Sequence, residues 1–178
     1  MNSGKLFESQ FRKSIPEYCF VYRLKDSAQS FSGNSNVSFS WNNPCDFFIF
    51  DSNKHLFYAI ECKSTKFRSM NVQLSKDEKS SKMIKYHQIE SLTEMSRYNG
   101  LIAGFLLNFR DETNDNERTY FIEINDFNHM MKEINKISLN EMDIILHNAI
   151  KIEGIKKRVY YRWNIDKFLS EYNQEECI

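Results

Sequence analysis

The sequence predicts an α/β protein: a central mixed sheet with helices on its faces. Three observations carry this. The apolar runs FFIF (47–50), LFYAI (56–60) and LIAGFLLNF (101–109) have strand length. Segments with helical spacing precede them, separate them and follow them. Composition is globular, at 41% hydrophobic and 15% aromatic residues with five Gly and two Pro. At 178 residues the chain is long enough for one domain with a real core. Nothing divides it, so residues 1–178 are expected to form one unit, with a core over about 3–124 and helical and strand additions over about 125–178.

The elements follow in order. After Ser3, Phe7, Phe11 and Ile15 recur every four residues and Pro16 stops the helix. Tyr18 to Leu24 reads as a strand. The Ser/Asn-rich interval Lys25 to Asn43 reads as a loop. A hairpin follows, then a polar, Lys-rich stretch from Lys66 that reads as irregular. Ile84, Ile89, Leu92 and Met95 have helical spacing, with Gly100 as the expected C-cap. LIAGFLLNF is expected to be a buried central strand and TYFIEI its neighbour. The remainder is expected to be mostly helix. Ser138 with Glu141 gives a capping-box signal, KRVYYRWNI reads as a strand, and Asp166 as the N-cap of a last helix.

Formal net charge is zero, with 24 basic and 24 acidic residues, so any surface for nucleic acid must come from local clustering. Two clusters exist. Lys66, Arg68, Lys76, Lys79, Lys82 and Lys85 surround the stretch after the hairpin. Lys156, Lys157, Arg158 and Arg162 lie in the tail, among Tyr160, Tyr161 and Trp163. Both suit phosphate contacts, with aromatics available for stacking. A solvated loop and a strand with its aromatic side in the core fit them equally. Cys19, Cys45, Cys62 and Cys177 form no C-x-x-C pair and stand at no zinc spacing, which implies reduced thiols in a cytoplasmic protein. No apolar run reaches membrane-spanning length, and none is expected to.

The hairpin holds the candidate site. Let its turn centre on Asn53 and Lys54. Asp51 then pairs with Leu56, and Asp46 faces Glu61. Alternation places Phe57, Ala59, Glu61 and Lys63 on one face. Two facing carboxylates repel, so a proton, a lysine or a metal ion must offset them. Mg²⁺, with its oxygen ligands and one or two carboxylates, fits. Lys63 would then reach a metal-bound water or a substrate phosphate. Charged residues at strand ends are also common for no catalytic reason, and spacing alone leaves that reading open.

P-x-D followed by E-x-K on adjacent strands resembles the PD-(D/E)XK nuclease superfamily, as does the order helix, three strands, helix, strand. Within it the chain most resembles the RecU-type Holliday junction resolvases of Gram-positive bacteria and their phages. The resemblance rests on GKLFESQF, CDFFIFD with FYAIECKST, HQIESLTEMSRYNGLIAGFLLNF with YFIEI, and KRVYYRWNIDKFL. It implies a restriction-endonuclease-like core and a homodimer that cuts branched DNA with Mg²⁺ or Mn²⁺, leaving 5′-phosphates. It implies Asp46 and Glu61 as metal ligands, with the Cys62 carbonyl as a third. Lys63 would polarise the attacking water, Glu8 would join the metal shell, and Gln88 would be a polar helix group facing the site. Glu8 has an alternative, pairing with Lys5 and Arg12 on a wet helix face. Gln88 equally suits a capping amide. Two features depart from the resolvase pattern: Lys25 to Asn43 is short where those proteins carry a long stalk, and Cys45 stands where they usually show a hydroxyl residue. A duplex-cutting nuclease and a non-catalytic binding module on the same fold therefore remain as alternatives.

Overall fold

The computed structural model describes residues 3–24, 43–78, 81–111, 113 and 116–172. Lys79, Cys177 and nearly all of the interval from Lys25 to Asn43 lie outside them. The chain opens with α1 (Ser3–Ser14), then β1 (Cys19–Arg23), β2 (Phe47–Asp51), β3 (Leu56–Thr65) and the short β4 (Ser69–Asn71). After α2 (Tyr86–Met95) come β5 (Leu101–Asp111), β6 (Asn116–Glu123) and α3 (Ile124–Ile134). The order helix, three strands, helix, strand is therefore present, with β4 as an addition outside the main sheet.

That sheet has six strands in the order β1-β2-β3-β5-β6-β8, where β8 is Ile150–Ile152. Its strand directions are mixed: β3 and β5 run parallel and the other neighbours antiparallel. A parallel pair needs a crossover, and the stretch holding α2 supplies it. The result is the α/β class expected, with a central mixed sheet flanked by helices.

Each face of the sheet carries a core. On one face, Phe7 and Phe11 of α1 pack against Phe47, Ile49, Tyr58 and Ile60. There they meet Trp163 and the buried side of α5 (Ile165–Glu171). On the other face, Leu92 of α2 and Phe127 and Met130 of α3 cover Ala59, Ala103, Phe105 and Leu107. Strand alternation sorts β3 between them: Tyr58, Ile60 and Cys62 belong to the first core, Ala59 to the second. At Gly104, mid-β5, an added Cβ would lie 2.4 Å from the Ile122 carbonyl oxygen and 2.7 Å from the Phe121 ring. Gly104→Ala is therefore expected to cost about 1–3 kcal/mol, the usual penalty for overpacking, measured as a lower urea midpoint.

Several sequence expectations are corrected. The stretch after Lys66 is not irregular throughout: β4 pairs with β7 (Ser138–Asn140), Val72 bridges Ile84, and Met70, Val72 and Ile84 are fully buried. Ile84 thus precedes α2 instead of joining it. That helix closes on Ser96, and Gly100 (φ +80°) turns the chain into β5 four residues later. The C-terminal third holds more strand than expected. Ser138 is in β7, and the reciprocal cap of α4 (Glu141–Ile145) is Asn140 with Asp143. Only Tyr161–Trp163 of KRVYYRWNI is strand, β10, paired with β9 (Gly154–Lys156). Asn164, not Asp166, caps α5, while Asp166 accepts the Tyr18 hydroxyl at 2.8 Å.

Candidate active site

The β2–β3 hairpin has the expected register: Asp51 opposes Leu56 and Phe47 opposes Ile60. The ladder ends there, and Asp46, just before β2, stays against β3 near Glu61, whose charge it feels. Its N–H donates to the Ile60 carbonyl at 3.1 Å, and its Oδ2 accepts the Cys62 N–H at 2.8 Å. Asp51 has a different job, because its Oδ1 accepts the N–H of Asn53 at 2.8 Å and so closes the turn.

Glu61 is 4% exposed. Its Oε1 accepts Lys63 Nζ at 2.7 Å and also the Gln88 side-chain amide. Gln88 is the third residue of α2, and its Oε1 accepts the Lys85 N–H at 3.0 Å, which turns its NH₂ toward Glu61. One amide thus ties the start of α2 to the end of the hairpin. Both bonds fall on Oε1, and neither Glu61 Oε2 nor Asp46 Oδ1 accepts a bond from a described residue.

Glu8 comes near through α1 but is not paired with Lys5 or Arg12. It accepts Arg23 Nε at 3.0 Å, from the end of β1. Burial and the neighbouring Glu61 charge push the Asp46 carboxyl up to about 7, against the pull of the Cys62 N–H, and Glu8 adds to the push. Burial also raises Glu61, opposed by Lys63 and more weakly by Lys85. His87 is shifted down, by burial and by the Lys85 and Lys63 charges. The Cys62 thiol packs in the first core, so this residue faces the site only through its backbone. Cys45 is buried and its Sγ–H donates to the Phe47 carbonyl at 3.4 Å, a bond a hydroxyl would also make. Cys19, Cys45 and Cys62 are free thiols.

A divalent cation suits this donor set. Among the described residues no group of three or more His, Cys, Asp and Glu side chains is placed to hold a metal. The pair Asp46 and Glu61, however, offers two carboxylate oxygens with no donor on them. Lys63 is engaged by Glu61 and Arg23 by Glu8, and among the described residues no cation is bonded to Asp46. Mg²⁺ typically takes one or two carboxylates and keeps several waters.

Five residues that sequence reasoning did not single out support this end of the sheet. Besides Arg23, a polar ladder crosses three strands: Ser64 Oγ donates to Asn108 Oδ1 at 2.7 Å, and Asn108 Nδ2 donates to Thr119 Oγ1 at 3.0 Å. Arg110 Nε donates to Ser64 Oγ at 3.0 Å. The ladder fixes the residue directly after Lys63. Asn108 was detectable as the one polar letter in LIAGFLLNF.

Of the basic residues after the hairpin, Lys66, Arg68, Lys76 and Lys85 are exposed and Lys82 is half-buried. Lys156, Lys157, Arg158 and Arg162 are exposed on the β9–β10 hairpin, while Tyr161 and Trp163 turn into the core. No helix among the described residues is long and apolar enough to cross a membrane.

The fold is an α/β one, a central mixed sheet flanked by helices. Among known proteins, the chain is 32% identical over 188 aligned positions to the SPbeta prophage-derived uncharacterized protein YotM of Bacillus subtilis (strain 168). The match covers 98% of this chain and 89% of that relative. The chain belongs to the YotM family. Among solved structures it is similar to Hjc, a Holliday junction resolvase of Archaeoglobus fulgidus, at 16% identity and a TM-score of 0.43, over 83% of this chain and 90% of that one. No protein-family model matches the chain.

Proposed function

We propose that the protein is a divalent-metal-dependent endodeoxyribonuclease that resolves Holliday junctions as a cytoplasmic homodimer. One observation supports the reading: the Asp46 carboxylate, held by the Cys62 N–H, lies near Glu61, to which Lys63 and Gln88 are both bonded. The resemblance of CDFFIFD and FYAIECKST to PD-(D/E)XK nucleases supports it.

Asp46, Glu61 and the Cys62 carbonyl would hold Mg²⁺ or Mn²⁺. The ion would supply Lewis acidity toward the phosphoryl oxygen and an acidified water. The protein's own groups do the rest. Lys63 places an ammonium beside the nucleophile and the charge that builds on phosphorus. Gln88 holds Glu61 in one orientation through its Oε1. Water adds to phosphorus as the bond to the 3′ oxygen breaks, leaving 5′-phosphate and 3′-hydroxyl ends. A four-way junction needs two such cuts, which a two-fold dimer supplies. The basic residues Lys66, Arg68, Lys76, Lys79, Lys82 and Lys85 would hold flanking phosphates.

Gln88→Ala is expected to lower the cleavage rate by about tenfold or more, because Glu61 keeps Lys63 but loses its second anchor. Single-turnover kinetics with a labelled junction measures it. An unchanged rate would remove Gln88 from the site.

The short interval between β1 and Asp46 favours a second reading, cleavage of linear duplex in repair or restriction. Equal rates on a four-way junction and on a duplex of the same sequence would select it. Salt-sensitive binding without any cleavage in Mg²⁺ or Mn²⁺ would select a non-catalytic binding module.

A further inference from the structure

The β9–β10 hairpin is built at odds with ordinary turn chemistry. Lys157 and Tyr160 are joined by a backbone bond of 2.8 Å, which leaves Arg158 and Val159 as the tip. Two-residue turns favour Gly, Asn and Asp. Here a cation and a β-branched residue take those places, and Val159 is 80% exposed.

The base, in contrast, is clamped. Trp163 is buried, stacks on Tyr161 at 5.2 Å and meets Phe7 of α1 edge-on at 6.0 Å. Its backbone N–H donates to Ser14 Oγ at 3.0 Å. Gly154, directly opposite, lets the indole lie on the backbone, since a Cβ there would sit 2.3 Å from the ring. Rigid anchoring therefore supports an exposed tip.

Register decides what the hairpin shows to solvent. Arg162 opposes Ile155, and Lys157 opposes Tyr160, two steps along on the same face. That face alternates cations with apolar groups, and Ile155 and Tyr160 are 63% and 46% exposed. From Gly154 to Ile165 the sequence has four cations and no acidic residue. The side chains of Lys157, Arg158 and Arg162 make no ion pair with any described residue. Unpaired cations beside exposed aromatic and aliphatic groups match nucleic acid, which offers phosphates and stackable bases together.

We infer that the β9–β10 hairpin is a wedge for DNA: Val159 presses against an exposed base step while Lys157, Arg158 and Arg162 hold the phosphates on either side. Proteins that open or kink a duplex use apolar side chains this way. The inference rests on the proposed function in one respect, that the substrate is DNA.

The test uses the full chain carrying Glu61→Ala, with a four-way junction that has 2-aminopurine beside the branch. The parent is expected to bind with rising fluorescence. Lys157→Ala/Arg158→Ala/Arg162→Ala should weaken binding at least about tenfold and flatten the plot of log K against log salt by about 2–3, near one unit per lost phosphate contact. Val159→Ala should keep the salt slope and lose most of the fluorescence rise. All four positions are exposed, and matching thermal melts will establish that the variants fold. A parent that binds without a fluorescence rise, or either variant indistinguishable from the parent, overturns the wedge while leaving DNA as substrate. The wedge is equally overturned if the triple variant binds DNA normally but self-associates less, which makes the hairpin a contact between copies. A parent that binds neither junction nor duplex overturns the proposed function as well.

Discussion

Asp46→Asn is expected to abolish metal-dependent cleavage and, at the same time, to stabilise the metal-free protein. The two effects share one cause. Asp46 is held in a partly buried place near another carboxylate, and among the described residues its carboxylate accepts only a backbone N–H. Its carboxyl is pushed up to about 7 by burial and by Glu61. A carboxyl raised in the folded state binds its proton more tightly there than in the unfolded chain. The native state is therefore unpenalised below about pH 4 and loses stability as pH rises through 7. Asn has nearly the same shape and no charge. At pH 8 without metal, the variant should be more stable than the parent by about 1–3 kcal/mol, or several degrees in Tm. The difference should shrink toward pH 5. Adding Mg²⁺ should raise the Tm of the parent and leave that of the variant unmoved. A parent that is the more stable of the two at pH 8 without metal would show that Asp46 is not held at a cost.

Lys63→Ala should lose cleavage too, but with the opposite sign on stability. Lys63 and Glu61 form a buried pair, their side chains 14% and 5% exposed, with Nζ and Oε1 2.7 Å apart. Removing one partner of such a pair leaves an uncompensated buried charge and typically costs about 3–5 kcal/mol. Burial already raises Glu61, so a proton can offset part of the loss, and the cost should be greatest at alkaline pH. Adding Glu61→Gln to Lys63→Ala should restore most of the stability and none of the activity. Chemical denaturation of the two single variants and the double variant measures this coupling directly. Additive effects would mean that the pair is not coupled.

The opposed signs of these two variants reflect what is held together at the hairpin end. Lys63 and Gln88 stabilise Glu61, while the Asp46–Glu61 juxtaposition works against folding. Sites held in place against their own electrostatic preference are a common cost of catalysis.

The central register was legible because it depends on local chemistry. Asn53 and Lys54 lie between two apolar runs, and once the turn is placed, period-two alternation sets Asp51 opposite Leu56 and Phe47 opposite Ile60 without tertiary information. Gln88 was legible as a polar helix position, but its bond to Glu61 depends on how α2 docks. Arg23 was missed because β1 was not registered against β2. Its pairing with Phe47, one residue after Asp46, places it at the site's edge. The stretch after Lys66 was misread for a different reason. Met70, Val72 and Ile84 are isolated apolar letters in polar surroundings, and their burial comes from contacts with β7 and with each other across the loop. Likewise β7 to β10 are three residues each, too short for a period to register.

The most direct measurement is cleavage of an end-labelled four-way junction by the purified protein, with Mg²⁺ or with chelator, beside Glu61→Ala. The account predicts paired nicks near the branch with 5′-phosphate ends, dependent on the metal and reduced about a thousandfold or more in the variant. Glu61→Ala cutting at the parent's rate, or parent cleavage unaffected by chelator, would contradict it.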